Sequence, residues 1–329
     1  MRRLVALVLL TMAAAAYPRE PIRVLIVDGV NNHDWGSTTA ATKATLEATG
    51  RFDVDVATSP SRDAGKEQWA AWRPSFSDYD VVLSNFNDDC EVEDCDPRWS
   101  EETRSDFERF VREGGGFVPV HAADNAWADW PQYNDMIGLG GWGGREAGKS
   151  GWLLRQVDGE WVPTSPDVGM SGEHGDMRAF QVIHDRPSHP ILAGLPTAWM
   201  HATDELYSSL RGPAKNIEVL AHSVSLLTEG NEPILMLITY GAGKVFHIPL
   251  GHYNEGGEAL HCVGFQTILA RGTEYVATGK VTLGIPRSFP TRDAAVAIPP
   301  DRVVWPDVPE RLRHARDRDE DGGDAEDED

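Results

Sequence analysis

The first third of the chain alternates short apolar runs with segments of helical periodicity. One helix is predicted to follow Ser37, which can cap it, and to end at Gly50; an amphipathic helix is predicted to begin at Ser100. Apolar and β-branched runs predict strands at residues 22–28, 52–57, 80–85 and 117–121. Strands and helices that alternate across short connections predict a doubly wound α/β fold, with a mostly parallel sheet flanked by helices.

The pattern changes after the fourth predicted strand. Residues 126–173 read as loops rich in tryptophan, glycine and polar residues. A helix is predicted over residues 257–271, and Gly241-Ala242-Gly243 is a plausible hairpin turn. Four more strand-like runs are found at residues 179–183, 217–221, 234–240 and 244–248. We see no internal repeat, and one domain over residues 21–283 fits the pattern better than two.

Both ends of the chain differ from this domain. Arg2 and Arg3 precede an apolar run and Ala14-Ala15-Ala16, so residues 1–16 are typical of a signal peptide and predict an exported protein, periplasmic or secreted. The apolar run is too short to span a membrane, so a released protein is favoured over an anchored one. Residues 284–316 form an irregular extension, and residues 317–329 form an acidic tail expected to be disordered.

The charge of the chain limits its partners. The formal net charge is −22, and the acidic tail contributes nine acids and one arginine to it. Nucleic-acid binding needs a basic stripe, and none is visible, so nucleic acid is excluded as a partner, as is docking on anionic membranes. A small neutral ligand fits this balance, and the oligomeric state stays open.

The three cysteines allow several interpretations. Cys90 and Cys95 lie in one acidic loop, where an oxidising compartment would favour a local disulfide over two free thiols. A zinc site there is weaker, because the pair lacks a second pair of ligands. Cys262 stands in an apolar segment and is expected in the core.

Histidines at the ends of predicted strands are the most informative feature. His33 follows the first strand, His121 ends the fourth, and His252 follows the last. Ligands of doubly wound sheets bind beyond the carboxyl ends of the strands, so these side chains, with Asn85, are expected near one pocket. The alternative for each is a histidine that is hydrogen-bonded for structure. His174 lies in a loop, where surface placement is the simpler interpretation.

These residue types suit two kinds of chemistry. Asp204 and Glu205 are adjacent, so their side chains point apart and only one is expected to face a given site. Together with His121 and His252 they predict general acid–base catalysis. The same residues, with His33, could instead hold a divalent metal such as zinc, although no closely spaced ligand motif supports it. No serine or cysteine follows the fourth strand, so covalent acyl transfer is not expected.

Tryptophan is unusually dense beside the predicted site. Five of the eleven tryptophans fall between Trp127 and Trp161. Their flat faces suit sugar rings, although they could equally pack an otherwise loose insertion. The candidates for substrate binding are His33, Trp35, Asn85, Asp124, Trp127, Trp142 and His174.

The chain resembles the trehalose-utilisation (ThuA-like) family over about residues 21–283. The resemblance is carried by the first strand with His33 and by segments at residues 114–123 (GGGFVPVHAA), 189–191 (HPI), 204–207 (DELY), 232–233 (EP), 240–252 (YGAGKVFHIPLGH) and 274–281 (EYVATGKV). It implies a flavodoxin-like fold similar to that of class I glutamine amidotransferases. By this resemblance His252 lies where those enzymes keep their catalytic histidine, and the turn at His121 and Ala122 lies where they keep their nucleophilic cysteine.

Because no cysteine stands in that turn, the resemblance does not imply amidotransferase activity. It implies a role in carbohydrate utilisation, with trehalose and keto-sugar derivatives as ligands. We therefore expect an exported protein that acts on a saccharide or keto-sugar through acid–base or metal-assisted chemistry. The alternatives are a non-catalytic sugar-binding protein on the same scaffold and a structural module of the cell envelope.

Overall fold

The computed structural model describes residues 20–88, 98–149, 151–253, 256–306 and 308. The predicted signal peptide, the acidic tail and the predicted disulfide between Cys90 and Cys95 lie outside these residues. No helix among the residues described is both long and apolar enough to cross a lipid bilayer.

Between residues 20 and 119, the described part of the chain forms four parallel strands and three α-helices. The strands are β1 (Ile22–Asp28), β2 (Phe52–Thr58), β3 (Val81–Ser84) and β4 (Gly116–Pro119). The helices are α1 (Trp35–Ala48), α2 (Lys66–Ala71) and α3 (Glu101–Arg112). All four predicted strands are confirmed to within a few residues, because each is an apolar run of strand length between polar turns.

From residue 120 onward, the residues that the structure describes add three α-helices and ten strands. The helices are α4 (Pro131–Ile137), α5 (Glu258–His261) and α6 (Val263–Thr278). The strands are β5 (Trp152–Val157), β6 (Glu160–Thr164), β7 (Glu173–His174), β8 (Arg178–His184), β9 (Ala198–Asp204), β10 (Tyr207–Ser208), β11 (Arg211–Gly212), β12 (Ile217–Val224), β13 (Asn231–Tyr240) and β14 (Gly243–His247).

Nine strands form one large mixed sheet in the order β2-β1-β3-β4-β14-β13-β12-β8-β9. The pairings from β2 to β14 are parallel, and those from β14 to β9 are antiparallel. Only β13 and β8 therefore run against the direction of the other members. The α/β fold class is confirmed, and the carboxyl end of β9 lies at the same edge of the sheet as those of β1, β4 and β14.

The core lies on both faces of this sheet. Val24 and Ile26 of β1 pack in one apolar cluster with residues of α6, and Leu25 and Val27 pack in a second cluster with Phe107 of α3. A strand buried on both faces reads as a continuous apolar run, which is why β1 was recognisable in the sequence.

The ends of α1 and α6 differ from the predictions. The cap of α1 is Asp34, whose Oδ1 accepts a hydrogen bond from the Ser37 backbone N–H at 3.0 Å, so the predicted cap at Ser37 is wrong by three residues. Aspartate caps helices as well as serine does, which explains the shift. The helix predicted over 257–271 is broken at Cys262, whose extended backbone pairs with Ala297, and α6 continues to a left-handed Gly279.

The region interpreted as loops is more regular than expected. It contains α4 and a β5–β6 hairpin, which joins β11 in a three-stranded sheet. Asp158 and Gly159 form the hairpin turn with φ angles of +51° and +84°. This Asp-Gly pair is a strong hairpin signal, and the sequence contained it. After residue 283, Val303, Trp305 and Val308 of the irregular extension are buried against the core.

Candidate functional site

Three histidines and one glutamate meet at the carboxyl edge of the large sheet. His33 follows β1, His121 follows β4, Glu205 follows β9 and His252 lies five residues after β14. One ligand atom from each of the four side chains lies within 4.8 Å of the others. The structure thus brings together the three histidines that the sequence placed at strand ends, and it adds one of the two candidate carboxylates.

Glu205 is the centre of this group. Its Oε2 lies 3.5 Å from His121 Nε2 and 4.0 Å from His33 Nε2, and its Oε1 lies 3.7 Å from His252 Nδ1. The same Oε1 is 3.6 Å from Nε2 of His174, which pairs with β10 through β7. The side chains of Glu205, His33 and His252 are 10%, 13% and 14% exposed, so a small ligand can reach them.

Hydrogen bonds at the far side of two imidazole rings fix which nitrogen faces the glutamate. His33 Nδ1 lies 3.0 Å from the side-chain oxygens of both Asn31 and Asn32, and His121 Nδ1 lies 3.3 Å from the carbonyl oxygen of Pro249. In both rings Nδ1 can therefore donate to these oxygens, and Nε2 is the nitrogen that faces the cluster.

The third imidazole presents its other nitrogen. His252 Nδ1 is buried and has no hydrogen-bond partner within the described parts of the chain. A buried polar atom without a partner costs free energy. Its position facing Glu205 is explained if a ligand of the site binds it.

The pKa values of these groups follow from burial and from their neighbours. Burial, followed by the neighbouring His121 and His252, lowers the pKa of His33 to about 3. Burial and the neighbouring His121 also lower the pKa of His252. Burial opposes protonation of His121, but the hydrogen bond and charge of Glu205 outweigh it and raise its pKa. His33 and His252 are therefore neutral at physiological pH, the state in which imidazole binds a metal.

His121 occupies a strained turn. It follows β4 directly, opens a short 3₁₀ helix (His121–Asn125) and has a φ of +48°, in the left-handed region. A strained residue between a strand and a helix is the geometry of a nucleophile elbow, which projects a side chain over the edge of the sheet. Here the projected group is an imidazole.

The carboxylate of Asp204 organises the backbone beneath the cluster formed by His33, His121, His252 and Glu205. Its Oδ1 accepts hydrogen bonds from the backbone N–H groups of Glu205 and His252, at 2.8 and 3.0 Å. Its Oδ2 accepts from Gly251 N at 2.8 Å and faces His201 Nε2 at 2.7 Å. The expectation that only one of the adjacent carboxylates faces the site agrees with this arrangement, and Asp204 is a positioning residue.

Behind Asp204 lies a buried Cys–His–Asp group. Burial disfavours the charged form of His201, but Cys262 and Asp204 outweigh burial and raise the pKa of His201 to about 10. Burial raises the pKa of the Cys262 thiol, but the neighbouring His201 lowers it by more, so this pKa lies below its ordinary value. Cys262 is fully buried in the apolar core, as expected from its sequence context, so this group supports the site from within.

Aromatic rings form one wall of the site. The Tyr207 hydroxyl lies 3.0 Å from His121 Nε2, and the rings of Tyr207 and His121 are 4.5 Å apart. Trp142 packs edge-on against Tyr207 at 4.6 Å and lies 6.0 Å from the ring of His174. Trp142 is half-buried, so it combines a position beside the cluster with partial access to solvent.

Other predicted substrate-binding residues lie elsewhere. Trp127 is 1% exposed and packs against Phe86 and Trp99 in the core, so the structure does not place it at the site. Asp124 is fully buried, 3.0 Å from Nε2 of His247. Trp127 and Asp124 were predicted to contact the ligand, but both are structural groups of the interior. The prediction was wrong because the sequence around them resembles that of an exposed loop.

Asn85 and Trp35 support the site from the side. Asn85 Nδ2 donates hydrogen bonds to the backbone oxygen of Trp35 and to Thr39 Oγ1, at 3.2 and 3.0 Å, and Asn85 is 1% exposed. This side chain anchors the start of α1 beside His33. Trp35 is the first residue of α1 and is partly buried.

A known family matches the part of the chain that carries this site. The sequence pattern described as trehalose utilisation (ThuA) matches residues 23–276, which include all four residues of the cluster. The chain belongs to the ThuA family. The resemblance inferred from its short motifs is thereby confirmed.

Solved ThuA-like structures agree with the fold of this ThuA-family chain. A ThuA-like protein from Parabacteroides merdae ATCC 43184 is 37% identical, has a TM-score of 0.78, and is aligned over 85% of this chain and 99% of its own. A ThuA-like protein from Bacteroides uniformis ATCC 8492 is 18% identical, has a TM-score of 0.51, and is aligned over 82% and 96% of the two chains, a likeness in fold alone. No curated protein matches the chain.

Two features of this ThuA-family site escaped the sequence reasoning. Tyr207 stood in the recognised DELY segment but was not singled out, although its position two residues after Glu205 was a usable signal. Asn31 and Asn32 precede His33 and hold its ring, a role that no spacing rule indicated.

Proposed function

We propose that this ThuA-family protein binds a divalent transition metal, with zinc as the best match, between His33, His121 and His252, and acts on a saccharide that carries a carbonyl group. The observation that carries this proposal is the convergence of three imidazole nitrogens and one carboxylate at the carboxyl edge of the sheet. Three protein ligands with one open position are the arrangement of catalytic zinc sites.

The distances support this donor set. Zinc–nitrogen bonds of 2.0–2.1 Å in a tetrahedron place neighbouring ligand atoms about 3.4 Å apart. The imidazole nitrogens of the cluster lie within 4.8 Å of one another, so small side-chain movements bring the three of them to this spacing, with Glu205 beside them as the base. Asn31, Asn32 and Pro249 supply the outer hydrogen bonds that metal-binding histidines require.

The chemistry follows from which group is basic and which is electrophilic. A divalent metal held by the three histidines would supply a Lewis acid for the carbonyl oxygen of the substrate. Glu205 Oε1 or Oε2 accepts the proton from the carbon beside that carbonyl, and the electron pair of the broken C–H bond moves toward the carbonyl oxygen. In the protein without a metal, the hydrogen bond and charge of His121 outweigh burial and lower the pKa of Glu205. A divalent cation in the same place would also favour the ionised carboxylate, which is the form that accepts a proton.

The substrate class rests on two supports. The family to which the chain belongs is described by trehalose utilisation. Trp142 offers a partly exposed aromatic face at the rim of the cluster, and such faces bind the apolar faces of sugar rings. A keto-sugar fits both features, because its ring can stack on Trp142 and its carbonyl group can react with Glu205 and a metal.

Titration calorimetry with Zn²⁺, followed by turnover of keto-trehalose, tests the proposal. We expect one zinc per chain in the wild type, loss of zinc binding in His121→Ala, and unchanged binding in His189→Ala, a histidine outside the cluster. Glu205→Gln should retain zinc and lose turnover, because it removes the base and leaves three imidazoles in place.

The possible outcomes separate the alternatives. A wild type that binds no zinc, or a His121→Ala variant that binds it normally, contradicts the metal site. Zinc-dependent binding of the saccharide without any product, by mass spectrometry, favours the non-catalytic sugar-binding protein over the enzyme.

Export is a separate part of the proposal and rests on residues 1–16 alone. Cleavage after the alanine run would leave Tyr17 as the new N-terminus. Mass spectrometry of the extracytoplasmic fraction should find this N-terminus, and recovery of only the uncleaved chain in the cytoplasm would contradict export.

A further inference from the structure

The hydroxyl of Tyr207 has a role that the proposed metal site leaves open. It lies 3.0 Å from His121 Nε2, and Glu205 Oε2 lies 3.5 Å from that same nitrogen. The phenol oxygen therefore stands beside the point on which the ligand atoms of the cluster converge. This position next to the reacting groups is unusual for a tyrosine that serves only packing.

His121 Nε2 has one position for a hydrogen bond, and the Tyr207 hydroxyl contacts it. Nδ1 of His121 faces the carbonyl oxygen of Pro249 at 3.3 Å, so Nε2 is the nitrogen that faces the cluster. The Tyr207 oxygen lies 3.0 Å from this Nε2. Nε2 cannot bind a metal and keep its hydrogen bond to the phenol, so a metal held there would release the phenol.

Packing holds the released phenol in place. The Tyr207 ring contacts His121 at 4.5 Å, Trp142 at 4.6 Å and His174 at 6.4 Å. Tyr207 is 2% exposed, and its backbone pairs with His174 between β10 and β7. With the ring fixed on several sides and the Asn125 side chain as a second hydrogen-bond partner, the hydroxyl stays beside the cluster when His121 Nε2 is taken, where it can donate to an oxygen of a ligand.

We infer that Tyr207 is a catalytic residue whose hydroxyl donates a hydrogen bond to the carbonyl oxygen of the saccharide held at the cluster. This inference rests on the proposed function. No proton is transferred by Tyr207: the phenol stays protonated, and its hydrogen bond strengthens as negative charge develops on the carbonyl oxygen when Glu205 removes the neighbouring proton. A preorganised donor of this kind acts mainly in the transition state.

Tyr207→Phe removes the hydroxyl and keeps the ring that packs against Trp142. We expect its kcat on keto-trehalose to fall by about 100-fold or more, as for the loss of one oxyanion donor, with KM within about threefold. Its affinity for zinc should be unchanged or higher, because the competitor for the His121 lone pair is gone. Tyr240→Phe is the matched control, since Tyr240 donates to Glu108 at 3.0 Å and pairs with the first residue of β14, at the opposite edge of the sheet from the cluster.

The readouts distinguish this inference from the proposed function. A wild type without zinc binding or without turnover overturns the proposed function, and the role of Tyr207 falls with it. If the wild type binds zinc and is active, a Tyr207→Phe variant with kcat within twofold of wild type overturns the inference alone. Loss of zinc affinity in parallel with kcat also overturns it, because the phenol would then serve only to position His121.

Discussion

Replacing Asp204 with asparagine removes one buried charge beneath the site and keeps the shape of the side chain. The amide oxygen can take the place of Oδ1 and keep the hydrogen bonds from the backbone of Glu205 and His252. The amide nitrogen takes the place of Oδ2, where it meets a second donor, the backbone N–H of Gly251, and faces His201. One buried N–H therefore loses its acceptor, and one buried imidazole loses its counter-ion.

The expected cost follows from these two losses. A buried donor without an acceptor costs about 1–3 kcal/mol, and breaking a buried ion pair from one side costs about 3–5 kcal/mol. Because His201 can release its proton when Asp204 is replaced, the losses overlap, and we expect Asp204→Asn to lower the free energy of unfolding by about 3–5 kcal/mol. The backbone N–H of Gly251 loses its acceptor and adjoins His252, so the change displaces the segment that carries this ligand, and zinc affinity should fall by about 10- to 100-fold.

Urea unfolding followed by tryptophan fluorescence measures the stability, and calorimetry measures zinc binding. Asp185→Asn is the matched control: Asp185 bonds His222 Nδ1 at 2.9 Å in a pair that is nearly as buried but belongs to no site. It should cost less and leave zinc affinity unchanged. A loss below about 1 kcal/mol in Asp204→Asn, or equal losses in the two variants, would refute the assigned role.

Three further predictions address pH, ligand recognition and backbone strain. Because the pKa of His201 is raised to about 10 in the fold, the protonated imidazole stabilises the protein fully below pH 6.5, the ordinary pKa of histidine, and this stabilisation is lost as the pH rises toward about 10. In urea unfolding, the difference in stability between wild type and His201→Gln should therefore shrink across this pH range. A difference that stays constant would contradict the role of His201. Trp142→Ala should weaken saccharide affinity about tenfold by calorimetry, whereas Trp152→Ala, on an exposed residue, should not. Gly251→Ala should lower the melting temperature and zinc affinity, because φ is +101° and the new methyl group would meet the Phe265 ring at 2.9 Å; normal values for both would contradict the strain.

The sequence was sufficient to predict the parallel half of the fold. In β1, the apolar residues Val24 to Val27 face both helical layers in turn, so this part of the strand reads as one apolar run. The rule that ligands bind beyond the carboxyl ends of strands then placed His33, His121 and His252 together without any structural information. For the carboxylate of the site, the sequence allowed only a choice between Asp204 and Glu205. The side chains of adjacent residues point apart, and which of the two faces the site depends on how β9 is oriented in the sheet.

The misplaced residues share one physical reason. Trp127 and Asp124 lie in a segment of glycine, tryptophan and polar residues whose pattern is typical of an exposed loop. Their burial depends on tertiary partners far along the chain, Phe86 for the indole and His247 for the carboxylate. Local periodicity carries no record of such partners, so composition alone could not separate Trp127 from Trp142.

The order in which the ribosome delivers the site residues has a consequence for biogenesis. His33 and His121 belong to the part of the chain that is synthesised first. Asp204 ties the end of β9 to the backbone of His252, and His252 is made more than a hundred residues after His121. Since non-local pairings form late in folding, a nascent chain has two separate histidines and no assembled cluster. Capture of a ligand at this site therefore has to wait until nearly the whole domain has been translated.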